Sequence, residues 1–178
     1  MTPERPWSMT IRCDEVPESG RHVSLEASEE TRAALAGPAG VDAVERLCAT
    51  FDLTRRGRDG LHVQGRVNAT VRQTCVVSLE PMVNTIDEAV DVDFAPPREG
   101  EQSASDEIEL DSSAGEEPEP LTGNSVDLGL LATEFLILGI DPYPRKPDAA
   151  FEVPASGEAA AHPFAALAAW SKKGTVKE

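Results

Sequence analysis

The sequence predicts an α+β fold: a curved antiparallel sheet, in one form a small, partly open barrel, with one covering helix and short N-terminal helices that plug an end. Two long segments, 61–75 and 84–94, alternate apolar and polar residues with a period of two, as half-buried strands do. An apolar segment at 127–138 has helical periodicity. Aromatic residues make up only 4% of the chain, so Val, Leu, Ile and Ala must fill the core.

The N-terminal third begins with a predicted strand and two short helices. The string WSMTIRC alternates apolar with polar residues, which indicates a half-buried strand whose apolar side carries Trp7, Met9, Ile11 and Cys13. Ser28, followed by two acidic residues, is a good helix N-cap, and the helix it begins runs to Leu35. After the AGPAG break, a second helix is predicted over 41–47 and a strand over about 50–55.

The clearest pattern is LHVQGRVNATVRQTC. One side of this predicted strand is small and apolar, and the other is polar without a single acid; the polar side carries His62, Gln64, Arg66, Asn68, Thr70 and Arg72. A second strand, NTIDEAVDVDF, carries three acids on its outer side, Asp87, Asp91 and Asp93. We expect the two strands to pair antiparallel, because their outer charges are then complementary.

The rest of the chain divides by composition. Residues 1–95 and 125–151 are predicted to form one domain, separated by an acidic flexible loop at 96–124 that is rich in Pro, Gly and Ser. In the second part, a helix capped by Asp127 ends at Gly139, and DPYPRKP follows as a rigid extended segment. The tail, 152–178, contains a predicted short amphipathic helix in PFAALAAWSKK.

Composition and motifs argue against several classes of function. A net charge of −16 disfavours a protein that coats nucleic acid nonspecifically. The three cysteines, Cys13, Cys48 and Cys75, lie too far apart in sequence for zinc-ligand spacing, and no nucleophile or phosphate-binding motif is present. We therefore expect no enzyme activity, no metal and no cofactor. Without an apolar leader or an 18-residue apolar run, the sequence predicts a cytoplasmic protein that does not enter membranes.

Several strings of the sequence, in a fixed order, resemble a known family, and two of them, TCVVSLEP and DPYPRKP, are typical of it. The order VRQTCVVSLEPM, DEAVDVDFAPP, an acidic gap and VDLGLLATEFLILGIDPYPRKP resembles the bacterial YceD family over about residues 7–151, most closely its alphaproteobacterial branch. Many YceD-like proteins carry Cys-x-x-Cys where this chain has Cys75 and Ser78, so a metal role in those relatives does not carry over. The resemblance implies a non-enzymatic role in the synthesis, processing or accumulation of large-subunit ribosomal RNA.

The candidate binding residues follow from both lines of reasoning. Those expected to contact ribosomal RNA, a large-subunit ribosomal protein or an assembly intermediate are His62, Gln64, Arg66, Asn68, Arg72, Tyr143, Arg145 and Lys146. On composition alone, the strand residues are equally the solvated side of a half-buried strand, and Tyr143 equally packs on the sheet after the helix stop. An alternative function is an acidic escort whose loop holds a basic ribosomal protein without contacting RNA.

Overall fold

The computed structural model describes residues 6–57, 59–97, 118–121 and 123–151. Most of the predicted acidic loop and the whole predicted tail helix lie outside these ranges. At the end of the loop region, Glu119–Pro120 form a short strand and Leu121 is buried. The statements below concern the described residues.

Seven strands, two α-helices and a single-turn 3-10 helix at Cys13–Glu15 make up the described fold. The strands are β1 Thr10–Arg12, β2 Arg21–Glu26, β3 Ala43–Arg56, β4 Gly60–Thr74, β5 Pro81–Ala95, β6 Glu119–Pro120 and β7 Ser125–Asp127. The helices are α1 Glu29–Ala36 and α2 Leu128–Leu138.

The strands form two sheets. The larger has the order β2-β3-β4-β5-β6, antiparallel throughout except for the parallel pair β5–β6, while β1 and β7 form a separate antiparallel pair. This arrangement confirms the α+β class. The described strands do not close into a barrel, because the edge strands β2 and β6 do not pair with each other.

The predicted hairpin of β4 and β5 is confirmed. The two strands pair antiparallel without a register shift from Leu61 opposite Phe94 to Thr74 opposite Pro81. Because the register is unbroken, the polar side of β4 from His62 to Asn68 lies beside the aspartates of β5.

The predicted helix over 41–47 is wrong, because this segment belongs to the long strand β3. A register shift between Val44 and Arg46 places both Val44 and Leu47 in the core, a spacing of three that imitates a helix in the sequence. The sequence pattern also failed to indicate β2, which buries Val23 and Leu25 against the core. Pairing of residues 43–47 with β4 explains why the segment predicted as a helix is extended.

Side-chain caps hold both helices where the sequence predicts them. The Ser28 hydroxyl accepts a hydrogen bond from the Thr31 backbone N–H at 3.1 Å. The Asp127 carboxylate accepts from the backbone N–H groups of Gly129 and Leu130, and from that of Met9 at 2.9 Å. Asp127 therefore begins α2 and also ties it to the N-terminal segment.

One core lies between the large sheet and the helices. α1 packs on β3, and α2 packs over β4 and β5. The largest fully buried side chains are mostly aliphatic, as the low aromatic content requires, and they include Phe51, Leu53, Leu61, Leu128 and Leu136.

Candidate functional site

The middle of the polar side of β4 is paired with carboxylates of β5. The Arg66 guanidinium donates to both carboxylate oxygens of Asp87 at 2.7 Å, and Asn68 Nδ2 donates to the same carboxylate at 2.8 Å. The hydrogen bond from Arg66 is the main cause that lowers the pKa of Asp87. Asp87 is therefore ionised at neutral pH and offsets the charge of Arg66.

The two ends of the same side are also paired. His62 Nδ1 lies 2.9 Å from the Asp93 carboxylate, which also accepts from Arg56 at 3.2 Å. At the other end, Arg72 Nε lies 3.6 Å from the Glu45 carboxylate. This side of the sheet is therefore close to neutral and hydrogen-bonded within itself, rather than a basic surface.

The eight candidate residues do not form one site. His62 and Arg72 are ten residues apart on one strand, which at about 3.3 Å per residue separates them by about 33 Å. Tyr143, Arg145 and Lys146 follow α2 and lie near the end of β4, beyond Arg72. The structure thus separates a charge-paired strand surface from a second group of residues at the end of the sheet.

At that end, the two strings that resemble the YceD family meet. The backbone N–H of Val76 donates to the Pro144 carbonyl at 2.9 Å, and Gln73 Nε2 donates to the Asp141 carbonyl at 2.9 Å. Lys146 Nζ donates to the Glu80 carboxylate at 2.7 Å. Gln73, Val76 and Glu80 thus hold the DPYPRKP segment against the end of β4 and the turn that follows it, so the segment is part of the fold.

Cys75 lies at the centre of this junction. Its side chain is fully buried, and its sulfur accepts backbone N–H groups of Ser78 and Lys146, each at 3.4 Å. The pKa of the Cys75 thiol is lowered to about 6, against the opposing effect of burial. The largest cause is the Ser78 hydroxyl, followed by the backbone N–H groups of Ser78, Lys146 and Val77. The sulfur joins the turn to the DPYPRKP segment.

The sequence pattern misjudged the orientation of Ser78. Counting alternate residues from Leu61 predicts that Cys75 and Ser78 point to opposite sides. The strand ends at Thr74 and the chain turns, which brings Ser78 back to the sulfur. The Ser78 hydroxyl oxygen is buried and makes no hydrogen bond of good geometry, although it lies close enough to lower the pKa of Cys75.

The outer side of the junction exposes apolar and basic side chains together. Tyr143 is 71% exposed, so the expectation that it packs on the sheet is wrong. Leu79, at a positive φ of 57°, is 76% exposed. We call Val76, Leu79, Tyr143 and Arg145 the junction surface, since all four are exposed.

Val76 and Leu79 were not among the predicted binding residues. Both are large aliphatic residues in a turn, where polar residues are usual, and this contrast is the signal that identifies them. An open groove of ≈480 Å³ lies beside Val76, lined also by Ile137, Pro142 and Pro144.

The described part of the chain contains no group of three or more His, Cys, Asp or Glu side chains placed to hold a metal ion. None of its helices is both long enough and apolar enough to span a membrane.

Comparison with known proteins adds one finding. The family model described as "Large ribosomal RNA subunit accumulation protein YceD" matches residues 63–169, which begins within β4 and extends past the last described residue. No curated protein and no solved structure matches the chain. The match covers more than half of the 178 residues and includes both strings of the junction. The chain therefore belongs to the YceD family.

Proposed function

We propose that this chain is a non-enzymatic factor that supports the accumulation of large-subunit ribosomal RNA by binding an assembly intermediate through the junction surface. The single observation that carries the site is the meeting of the TCVVSLEP and DPYPRKP strings, which leaves Val76, Leu79, Tyr143 and Arg145 exposed around a rigid junction. The family description supports the process. The site of action is the cytoplasm.

The chemistry of the junction surface favours a protein component of the intermediate. Tyrosine and arginine beside aliphatic side chains are the residue types that dominate protein interfaces. The nearby Lys146 is held by Glu80, so few positive charges are left to contact phosphates. The backbone contacts from Gln73 and Val76 pre-order the segment, which lowers the entropy lost on binding.

The test is the ratio of large- to small-subunit ribosomal RNA in cells whose own copy of the gene is replaced by a variant. Tyr143→Ala with Arg145→Ala should lower this ratio, because loss of two central contacts costs about 2 kcal/mol or more of binding free energy. The control is Arg46→Ala, which removes an exposed arginine on β3. Pull-down of the tagged chain with and without ribonuclease identifies the partner class, and capture that survives ribonuclease supports a protein.

A normal ratio in the double variant, with a thermal midpoint equal to that of the wild type, would assign the function to another surface. Capture that ribonuclease abolishes would favour the second candidate, direct binding of RNA by the polar side of β4. The exposed arginines Arg66 and Arg72 favour that candidate, and the carboxylates that pair with them weigh against it.

A further inference from the structure

We propose that the outer edge of β5, together with the groove between β5 and α2, binds an extended partner segment in which basic and apolar residues alternate. This surface lies away from the junction, and the proposal can fail while the proposed function stands. Three observations support it: an edge without a neighbouring strand, an apolar groove, and a row of carboxylates.

The edge is defined by the pairing of β5. Over its whole length β5 pairs with β4, but on its other side it pairs with β6 only at Phe94 and Ala95. The Ala95 carbonyl accepts from the Leu121 N–H on that side, so residues of the same parity direct their peptide groups there: Asp87, Ala89, Asp91 and Asp93. In the ranges the structure describes, no strand lies beside these four residues. Such a row of peptide groups is a template for an added strand.

The groove lies on the core side of this edge. It has a volume of ≈620 Å³, and its apolar lining includes Val92 and Phe94 of β5 and Leu131, Phe135 and Leu138 of α2. The acidic residues Glu119, Asp127 and Glu134 also line it. Leu138 is 76% exposed, and an exposed leucine at the end of a helix has apolar surface that a partner can cover. Alternate side chains of an added strand would enter this groove, which favours apolar residues at those positions.

The carboxylates lie on the opposite side of the same edge. Asp87 is held by Arg66, and Asp93 is held by His62 and Arg56. Asp91 has only longer contacts, 3.4 Å from Gln64 Nε2 and 3.7 Å from His62 Nε2, and its side chain is 66% exposed. The remaining side chains of an added strand would lie beside Asp91, which favours lysine or arginine.

The negative charge of this surface favours a basic segment over the other possible occupants. A second copy of β5 would bring two rows of aspartates together, and the acidic sequence at 98–117 would be repelled in the same way. A single strand of RNA would bring phosphates to the carboxylates. The weakly engaged Asp91 therefore favours a basic residue in the partner, and the apolar part of the groove favours apolar residues that alternate with it.

The test uses the full chain and synthetic peptides, with fluorescence anisotropy as the readout. The probe is a labelled peptide of about nine residues that alternates lysine and valine, the length of a long strand. One control has the same composition in two blocks, and another alternates glutamate and valine. We expect the alternating basic peptide to bind about tenfold or more tightly than either control.

Two pairs of variants locate the binding. Ala89→Pro removes an edge N–H, and Ala89→Ser keeps it, so only the proline should weaken binding by about tenfold. Asp91→Lys should weaken binding, whereas Asp52→Lys, which changes an exposed aspartate of β3, should not. If Ala89→Pro fails to fold, the comparison of Asp91→Lys with Asp52→Lys still tests whether the peptide binds at this edge.

Four results would overturn the proposal: equal binding of the block peptide, equal loss in the two lysine variants, displacement of the peptide by single-stranded RNA, or dimerisation through this edge. The first two would assign the binding to net charge alone.

Discussion

Cys75 shows how a single residue takes its chemistry from the fold. The sequence pattern predicts a small buried side chain, and the side chain is indeed fully buried. Two backbone N–H groups donate to its sulfur, one from the adjacent turn and one from a segment 71 residues later. The Ser78 hydroxyl is the largest cause that lowers the pKa of Cys75, and together with these N–H groups it brings the pKa to about 6, because such donors stabilise the thiolate more than the thiol.

Replacement of Cys75 by serine should cost more stability at high pH than at low pH. The folded pKa is below the ordinary value of 9.0, so the thiolate stabilises the fold fully above that value. This contribution declines as the pH falls from 9.0 and is lost below the folded pKa. The difference in thermal midpoint between wild type and Cys75→Ser should therefore be larger at a pH of about 9 than at about 5.5.

Cys13→Ser is the matched control. Burial is the main cause that raises the pKa of Cys13, so that thiol contributes stability below its ordinary pKa and loses it as the pH rises through the folded value. The difference for Cys13 should therefore not widen toward alkaline pH. A pH-independent difference for Cys75 would mean that the thiolate does not form in the folded chain.

At the scale of elements, Gly65 allows β3 and β4 to pair around a buried aromatic ring. It lies opposite Phe51, and a Cβ placed on Gly65 would lie 2.1 Å from the Thr50 carbonyl oxygen and 2.7 Å from Phe51 Cδ1. The ring thus occupies the space that a side chain would need. The sequence places a glycine in the apolar parity of the strand but does not reveal what covers it.

Gly65→Ala should destabilise the fold by about 3 kcal/mol, the upper range for overpacking. The control is Gly37→Ala, since nothing lies within 4 Å of that Cβ and φ is −63°. That change should be neutral or should stabilise the fold by up to about 1 kcal/mol. Denaturant unfolding measures both, and equal stabilities would mean that β3 and β4 can move apart at little cost.

At the scale of the whole molecule, pairing of strands cancels charge that the sequence seems to concentrate. The net charge is −16, and the acid-free face of β4 lies beside the aspartates of β5. Local positive potential, which would be needed to attract RNA to an acidic protein, is therefore weak on this side. For this reason we propose the junction surface and the outer edge of β5, and not this side of β4, as the binding surfaces.

The RNA affinity of the chain should change less than about twofold in Arg66→Ala with Arg72→Ala, because those guanidiniums are already engaged by Asp87 and Glu45. Filter binding of labelled fragments of large-subunit ribosomal RNA, at fixed salt concentration, measures this change. A loss of tenfold or more would show that RNA displaces the carboxylates and would restore the β4 side as a binding site.

The sequence predicted those parts of the fold that depend on neighbours along the chain. Alternation identified β4 and β5, and local capping residues identified α1 and α2, because each signal lies within a few residues. It predicted a helix at 41–47 because the register shift in β3 imitates helical spacing, and only pairing with β4 makes that segment a strand.

By itself, then, the sequence determined the α+β class, the main hairpin, the covering helix and membership of the family through two separate strings. The tertiary structure alone decided that these strings meet at Cys75, that Tyr143 is exposed, and that Arg72 lies beside Glu45 of β3. The physical reason is distance along the chain. Periodicity and caps act between near neighbours, whereas hydrogen bonds and ion pairs between remote segments exist only once the sheet and its covering helix have formed.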